Sequence, residues 1–252
     1  MNATIATITM RQLLGRRRVL LLLLLGAVLV LVAVVFRLAG SDDPAAGGTS
    51  AEDLAWTAGL LDNFGIGTLM PLVALVLGTG AIGAEIDDGT IVYILAKPIS
   101  RSVIVFTKLA VAALAAALLT CVPILIAGLI AAGGLGDGVV LGFTIAAAIG
   151  SLLYCALFVA ISLITGRALV FGLFYVLIWE GFLAGLFAGT RTFSIRQHTL
   201  ALAEAIGNPP SEAFDAPLDL APALIVAGAL FVLAVVIAVR RLRAFEVSGE
   251  TA

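Results

Sequence analysis

Long apolar runs alternate with short polar segments along the whole chain. A helix needs about 20 consecutive apolar residues to cross a hydrocarbon core of about 30 Å, and it satisfies its backbone hydrogen bonds internally. Six stretches qualify, so the pattern predicts six transmembrane helices at about 19–38, 65–84, 103–132, 139–165, 168–188 and 220–239.

Only Gly166 and Arg167 separate the fourth apolar run from the fifth, and we interpret this pair as a tight turn. The alternative, a five-span protein, would fuse the two runs. A single helix of about fifty apolar residues has no membrane thick enough to hold it, which favours six spans.

Composition supports a membrane protein built only of helices. Hydrophobic residues make up 62% of the chain, charged residues 12%, and the formal net charge is −2. Soluble domains carry about 25% charged residues. We therefore expect an all-α integral membrane protein in which residues 1–252 form a single transmembrane domain.

Basic residues predict the orientation, because they concentrate in cytoplasmic segments. With the N-terminus inside, eleven basic residues fall on the inner side and only Arg37, Arg191 and Arg196 fall outside. Both termini are thus predicted to be cytoplasmic. Arginine outnumbers lysine twelve to two and alanine is abundant, which hints at a GC-rich bacterium and so at its inner membrane.

Three segments outside the apolar runs have helical features. In residues 1–18, Ala6, Met10, Leu13 and Leu14 share one helical face, although a frayed tail is the alternative reading. On the outer side, Ser50 precedes acidic residues and predicts a short separate helix ending near Leu61. A second outer helix, along the interface, is predicted from about Ile195 to a stop at Gly207 and Asn208.

One polar segment, residues 85–101, lies between the second and third runs. Its acidic start suits a helix N-terminus, Ile91 to Leu95 supply an apolar surface, Pro98 ends that helix, and Ser100 caps the next. A plain helix–helix turn takes about 2 to 8 residues, and this segment is longer. We therefore interpret it as a docking element.

The sequence lacks the common nucleotide-binding, zinc-binding and nucleophile motifs. It has no G-x-x-x-x-G-K-[ST] phosphate loop, no H-E-x-x-H and no G-x-S-x-G. Cys121 and Cys155 fall inside predicted spans, and His198 has no Cys or second His near it, so the spacing of a four-ligand metal site is absent. We expect no catalytic residues, no metal and no cofactor bound by this chain, and we assign the many span glycines to helix packing.

Glu180 is an ionisable residue deep in the predicted fifth span. A carboxylate there is costly and faces a cavity or a polar partner. Two readings stay open: a cavity-lining or gating group, and a structural hydrogen bond to a neighbouring span.

The polar segment resembles the permease subunits of type-2 ATP-binding cassette exporters. The resemblance rests on the pattern E-x-x-x-G-T-x-x-x-x-L-x-x-P-x-S-R with a following lysine, and it is carried by Glu85, Gly89, Thr90, Leu95, Pro98, Ser100, Arg101 and Lys108. Six spans, a basic N-terminal helix and a helical outer loop before the last span agree with it along the whole chain. Asp87 and Asp88 depart from the mixed charge expected there.

The resemblance implies that residues 85–101 form a coupling helix contacting a separate ATPase, with Asp87 and Asp88 among the contacts. It implies an elbow helix at 1–18 and a working unit of two permeases, identical or sister subunits, with two ATPases that hold ATP and Mg²⁺. It also implies a translocation path lined largely by the first, second and fifth spans, near Glu180.

Our leading hypothesis is therefore the membrane subunit of an ATP-driven exporter of a lipophilic substrate such as a drug, lipid or peptide. Its partners would be the ATPase, a second permease and the lipid bilayer, with no nucleic acid. The alternative is an ion-coupled secondary transporter or channel, which predicts internal repeats or several intramembrane charges. An intramembrane enzyme would need a catalytic constellation.

Overall fold

The computed structural model describes residues 3–13, 15–39, 51–96, 99–184 and 188–244. Nine helices and no strand occur in these ranges, which confirms the all-α prediction. The helices are α1 (Ala3–Leu13), α2 (Arg16–Ala39), α3 (Ala51–Asp87), α4 (Ile91–Leu95), α5 (Arg101–Ala132), α6 (Val139–Ile164), α7 (Ala168–Leu183), α8 (Ile195–Gly207) and α9 (Leu220–Arg243). Short 3₁₀ turns lie at Gly136–Gly138 and Ala188–Phe193.

Five of these helices, α2, α3, α5, α6 and α9, are long and apolar enough to cross a membrane. Helix α7 occupies the predicted fifth span but is shorter than the others, and residues 185–187, predicted to complete it, lie outside the described ranges. The prediction of six equivalent spans is thus supported at five positions. The turn predicted at Gly166 and Arg167 does separate α6 from α7.

Helix α3 differs from the prediction because it has no break after Leu61. The segment predicted as a short separate helix is continuous with the second span, and together they form one helix of 37 residues. Leu61–Leu69 adopts π-helical geometry, which keeps the backbone bonded through the junction. At 1.5 Å per residue this helix is about 55 Å long, well beyond the hydrocarbon thickness. Ser50, its predicted cap, lies outside the described residues.

Helix α6 is the centre of the bundle and packs against α3, α5, α8 and α9. Glycines permit the closest approaches. A Cβ added at Gly142 would meet the backbone of Gly207 in α8 at 2.9 Å, and one added at Gly78 in α3 would meet the Phe158 Cβ of α6 at 2.9 Å. These positions support the assignment of span glycines to packing.

Helix α1 lies against α5 and α3, and the chain then enters α2. Among its described side chains, Ile5, Thr9 and Leu13 are buried, and they are spaced four residues apart. The predicted face was wrong at Met10, which is 45% exposed, because the contacts with α5 and α3 select a different face. Helix α4 and the start of α2 lie at one end of the bundle, and α8 lies at the other end.

Candidate functional site

The α3–α5 connection, residues 88–100, begins with a sharp change of direction at the end of α3. Gly89 has a φ of +67°, a left-handed conformation that favours glycine, and Thr90 Oγ1 donates to the Glu85 carbonyl over 3.5 Å. The five-residue helix α4 follows, with Ile91 and Leu95 buried. The connection is therefore an anchored, short helical element.

An ion pair ties the two helices that flank this connection. Lys108 Nζ in α5 lies 2.5 Å from Glu85 Oε1 in α3, and it also donates to the Ala81 carbonyl over 2.8 Å. Both side chains are buried, with 1% of Lys108 and 5% of Glu85 exposed. Burying two charges costs desolvation free energy, and the attraction between the two side chains offsets that cost.

The residues predicted to contact a partner divide into two groups by exposure. Asp87, Asp88, Gly89, Thr90 and Ser100 are exposed and Arg101 is half-buried, whereas Glu85 and Leu95 are buried. Pro98 lies outside the described residues. Glu85 and Leu95 thus hold the connection in place from inside, and their predicted contact with a partner stays a prediction.

The sequence interpretation missed Tyr93, which is 75% exposed at the outer face of α4. Val92 beside it is 38% exposed. Because Ile91 and Leu95 face inward with a spacing of four, Val92 and Tyr93 lie on the opposite side of the helix. That spacing is visible in the sequence, and it could have indicated that Tyr93 is the large exposed side chain of the connection.

The start of α5 follows the prediction in position but not in bonding. Ser100 occupies the N-cap with φ −62° and ψ 138°, yet its side chain makes no capping hydrogen bond. Arg101 instead donates from Nη1 to the Leu95 carbonyl over 3.3 Å and so closes the C-terminal end of α4.

At the other end of the bundle, Glu180 binds the start of α8. Its Oε1 accepts from Tyr175 Oη at 2.9 Å and from the Ile195 amide at 2.9 Å, and its Oε2 accepts from Ser194 Oγ. A carboxylate at a helix N-terminus is stabilised by the unpaired amides and the helix dipole. The structural reading of Glu180 is supported, with partners in α7 itself and at the start of α8 rather than in a neighbouring span. Its role in a translocation path stays a prediction.

A second carboxylate holds α8 from the side of α3. Asp62 Oδ1 accepts from Arg196 Nη2 at 2.7 Å and from Arg196 Nε at 3.1 Å. Asp62 and Glu180 both lie in π-helical segments, Leu61–Leu69 and Tyr175–Leu183. A π-helix stacks residues five apart, as it does Tyr175 and Glu180, so this geometry helps to present the carboxylate.

Helix α8 ends as the sequence predicts, with Asn208 in the left-handed conformation at φ 46°. Its inward face is buried against α6, and this face includes His198, which is 4% exposed. Burial lowers the pKa of His198 below its usual value. The neutral imidazole is therefore the form that suits the fold.

An apolar groove of about 370 Å³ lies between α6, α7 and α9. Its lining includes Leu157 of α6, Tyr175 and Trp179 of α7, and Phe231 and Ala234 of α9. Such a surface suits apolar chains and offers almost nothing to a hydrated ion.

Residues 13–194, which extend from the end of α1 to the N-cap of α8, match the family described as ABC-2 family transporter protein. No curated protein matches the sequence. The match covers well over half of the chain and agrees with the five long apolar helices. Membership implies a membrane transport component that works with an ATP-binding cassette partner. The chain belongs to the ABC-2 transporter permease family.

Proposed function

We propose that this chain is the permease subunit of an ATP-driven exporter, with the α4 end in the cytoplasm and docked on a separate ATPase. The observation that carries the proposal is the α3–α5 connection, which exposes Tyr93 while Ile91 and Leu95 anchor it in the core. The family match supports the membrane subunit and the cassette partner. ATP and Mg²⁺ are held by that partner, and this chain hydrolyses nothing itself.

The exposed part of the connection has the composition of a docking surface. Asp88, Gly89 and Thr90 form a polar rim, and Tyr93 is a large amphipathic side chain beside them. Aromatic residues in this setting contribute a large share of interface energy. A partner drives a conformational switch only when it binds the two states unequally, so the ATPase must hold Tyr93 differently before and after ATP binding.

Helix α3 offers a rigid route from this surface to the far end. Glu85 near one end is paired with α5, and Asp62 near the other end is paired with α8. Displacing α4 therefore moves an uninterrupted helix of 37 residues that also holds α8. Coupling through such packed, rigid elements is the proposed path from ATP hydrolysis to the transported molecule. The groove between α6, α7 and α9 supports a lipophilic substrate.

A cross-linking experiment tests the docking surface. Cys121 and Cys155 are free thiols, so a variant with both replaced by alanine provides a background without cysteine. A cysteine at Tyr93 should cross-link to the co-expressed ATPase. The matched control is a cysteine at Leu135, which is 55% exposed in the turn between α5 and α6 at the other end of the bundle. Cross-linking at Leu135 but not at Tyr93 would reverse the proposed orientation.

A transport assay separates the exporter from the alternative. The chain and its ATPase are reconstituted in vesicles, and movement of a lipophilic dye is followed with ATP or with a proton gradient. We expect ATP-dependent movement that Tyr93→Ala reduces about tenfold or more, since loss of an interface hot spot costs about 2 kcal/mol. Transport by the chain alone, driven by the gradient, would favour the ion-coupled transporter.

A further inference from the structure

A cleft of about 390 Å³ lies at the α4 end between α2, α3, α6 and α7. Three charged side chains line it: Arg18 of α2, Asp87 of α3, and Arg167 in the turn before α7. The two arginines approach from different elements, and neither forms an ion pair within the described part of the chain. The cleft therefore presents two uncompensated guanidinium groups and one carboxylate.

Small residues of α3 leave the room for a ligand. Gly80 and Gly83 line the cleft, and a Cβ added at Gly80 would lie 3.3 Å from Arg18 Nη1. The Arg18 guanidinium thus lies across the glycine surface of α3. Because Arg18 and Arg167 are exposed, their donors remain available to a bound group.

Two of the three hydroxyl groups that line the cleft, those of Thr79 and Ser162, are arranged as acceptors. Thr79 Oγ1 donates to the Leu75 carbonyl over 2.6 Å, and Ser162 Oγ donates to the Val159 carbonyl over 2.8 Å. Each hydroxyl carries one hydrogen, and that hydrogen is already engaged in its own helix. The oxygens can therefore only accept from a ligand. Together with Asp87 they favour a group that donates N–H bonds.

The two sets of side chains require opposite charges in one ligand. Guanidinium groups bind phosphate with paired, charge-assisted hydrogen bonds. The Asp87 carboxylate suits a primary ammonium group. A headgroup that carries phosphate and an ammonium on adjacent carbons matches both sets, whereas a purely anionic headgroup would place a negative charge against Asp87.

Apolar side chains continue from the cleft along α7. Leu169 and Val170 line the cleft and are 53% and 51% exposed, and exposed Leu173, Phe174 and Leu177 follow at helical spacing. An acyl chain leaving the headgroup site would lie on this strip. The geometry points to a binding site for a phosphoethanolamine amphiphile, with its phosphate on Arg18 and Arg167 and its amine on Asp87.

Native mass spectrometry of the delipidated full chain in detergent tests this site without an ATPase. The probes are phosphatidylethanolamine, phosphatidylcholine and phosphatidylglycerol with identical acyl chains. We expect phosphatidylethanolamine to bind about tenfold more tightly than the other two, because one charge-assisted amine contact is lost in each. Equal binding of the three lipids, or preference for phosphatidylglycerol, would overturn the assignment.

Variants separate the two halves of the site. Arg18→Gln with Arg167→Gln should weaken all three lipids about tenfold or more, since the phosphate is common to them. Asp87→Asn should weaken phosphatidylethanolamine alone and make it equal to phosphatidylglycerol. The matched controls are Arg241→Gln and Asp88→Asn, exposed residues that do not line the cleft. If the controls lose as much lipid affinity as the cleft variants, general surface charge binds the lipids and the proposed site is wrong.

Two further experiments test whether the ligand is a lipid or a free headgroup, and whether it binds in this cleft. Water-soluble phosphoethanolamine should bind at least about a hundredfold more weakly than the lipid, because it lacks the chain that covers α7. Equal binding would overturn the amphiphile. Ala84→Leu fills the cleft while keeping its charges, and it should abolish the lipid preference. Should that variant fail to fold, the four surface variants still decide the outcome.

Discussion

Glu85 in α3 and Lys108 in α5 form a buried ion pair with a separation of 2.5 Å between Oε1 and Nζ. The two residues are 23 positions apart and stand on either side of the α3–α5 connection. Ile91 and Leu95 are buried beside this base. The connection is thus held at its two ends by the ion pair and at its middle by the apolar contacts of α4.

Removing one member of the pair should destabilise the protein. Glu85→Gln or Lys108→Met alone leaves an uncompensated buried group, and we expect a loss of about 3–5 kcal/mol. The double variant should recover most of it, because neither charge remains. Thermal unfolding in detergent checks the cycle. A double variant that loses the sum of the two single losses would mean that the two side chains act independently.

The same cycle separates stability from coupling. In the folded double variant, helix α3 is no longer joined to α5 by the ion pair. We expect ATP hydrolysis by the assembled complex to continue while transport falls several-fold. A double variant that transports at the rate of the native chain would show that the pair serves only folding. Glu212→Gln, exposed in the loop between α8 and α9 and outside both the pair and the docking surface, is the control.

Releasing Glu180 should loosen α8. Glu180→Ala removes the acceptor of three hydrogen bonds, and we expect a cost of about 1–3 kcal/mol together with faster amide exchange at residues 195–200. Asp62→Asn should act in the same direction from the side of α3. Hydrogen exchange with mass spectrometry measures both. Glu204→Gln is the control, since Glu204 lies near the end of α8 and, within the described residues, its carboxylate accepts only from the Ala216 amide. Unchanged exchange in Glu180→Ala would contradict the role given to this carboxylate.

The contact between α6 and α8 should not tolerate an added methyl group. In Gly142→Ala the new Cβ would enter the backbone of Gly207, so we expect a loss of about 1–3 kcal/mol or displacement of α8. Gly228→Ala in α9 is the matched control because its surroundings are open. That substitution should be neutral or slightly stabilising, since alanine favours helix. Unfolding midpoints of the two variants decide the matter, and equal values would refute the close packing.

Acidification should weaken the α8 end through His198, the single histidine of the chain. The pKa of His198 is lowered in the folded protein by burial, so the unfolded chain binds a proton more readily below the usual pKa of 6.5. Stability is therefore full above about pH 6.5 and declines as the pH falls from there towards the lowered pKa. The unfolding midpoint should drop between about pH 7.5 and pH 5.5 in the native chain and drop less in His198→Gln. An identical drop in both would assign the effect elsewhere.

The sequence by itself determined the helical class, the positions of the long apolar helices and the α8 stop at Asn208, because hydrophobic length and local capping chemistry are written in neighbouring residues. It also marked residues 85–101 as unusual. Tyr93 was within reach of the same reasoning, since its exposure follows from the spacing of Ile91 and Leu95.

Only the tertiary structure decided which distant groups meet. The pairing of Glu85 with Lys108, of Asp62 with Arg196 and of Glu180 with Ser194 depends on how separate helices pack. It also joined the predicted outer helix to the second span, because the π-helical segment keeps the backbone bonded where the sequence pattern indicated a boundary. The face of α1 was likewise set by contacts with α5 and α3, a choice that a periodic pattern with two weak faces leaves undetermined.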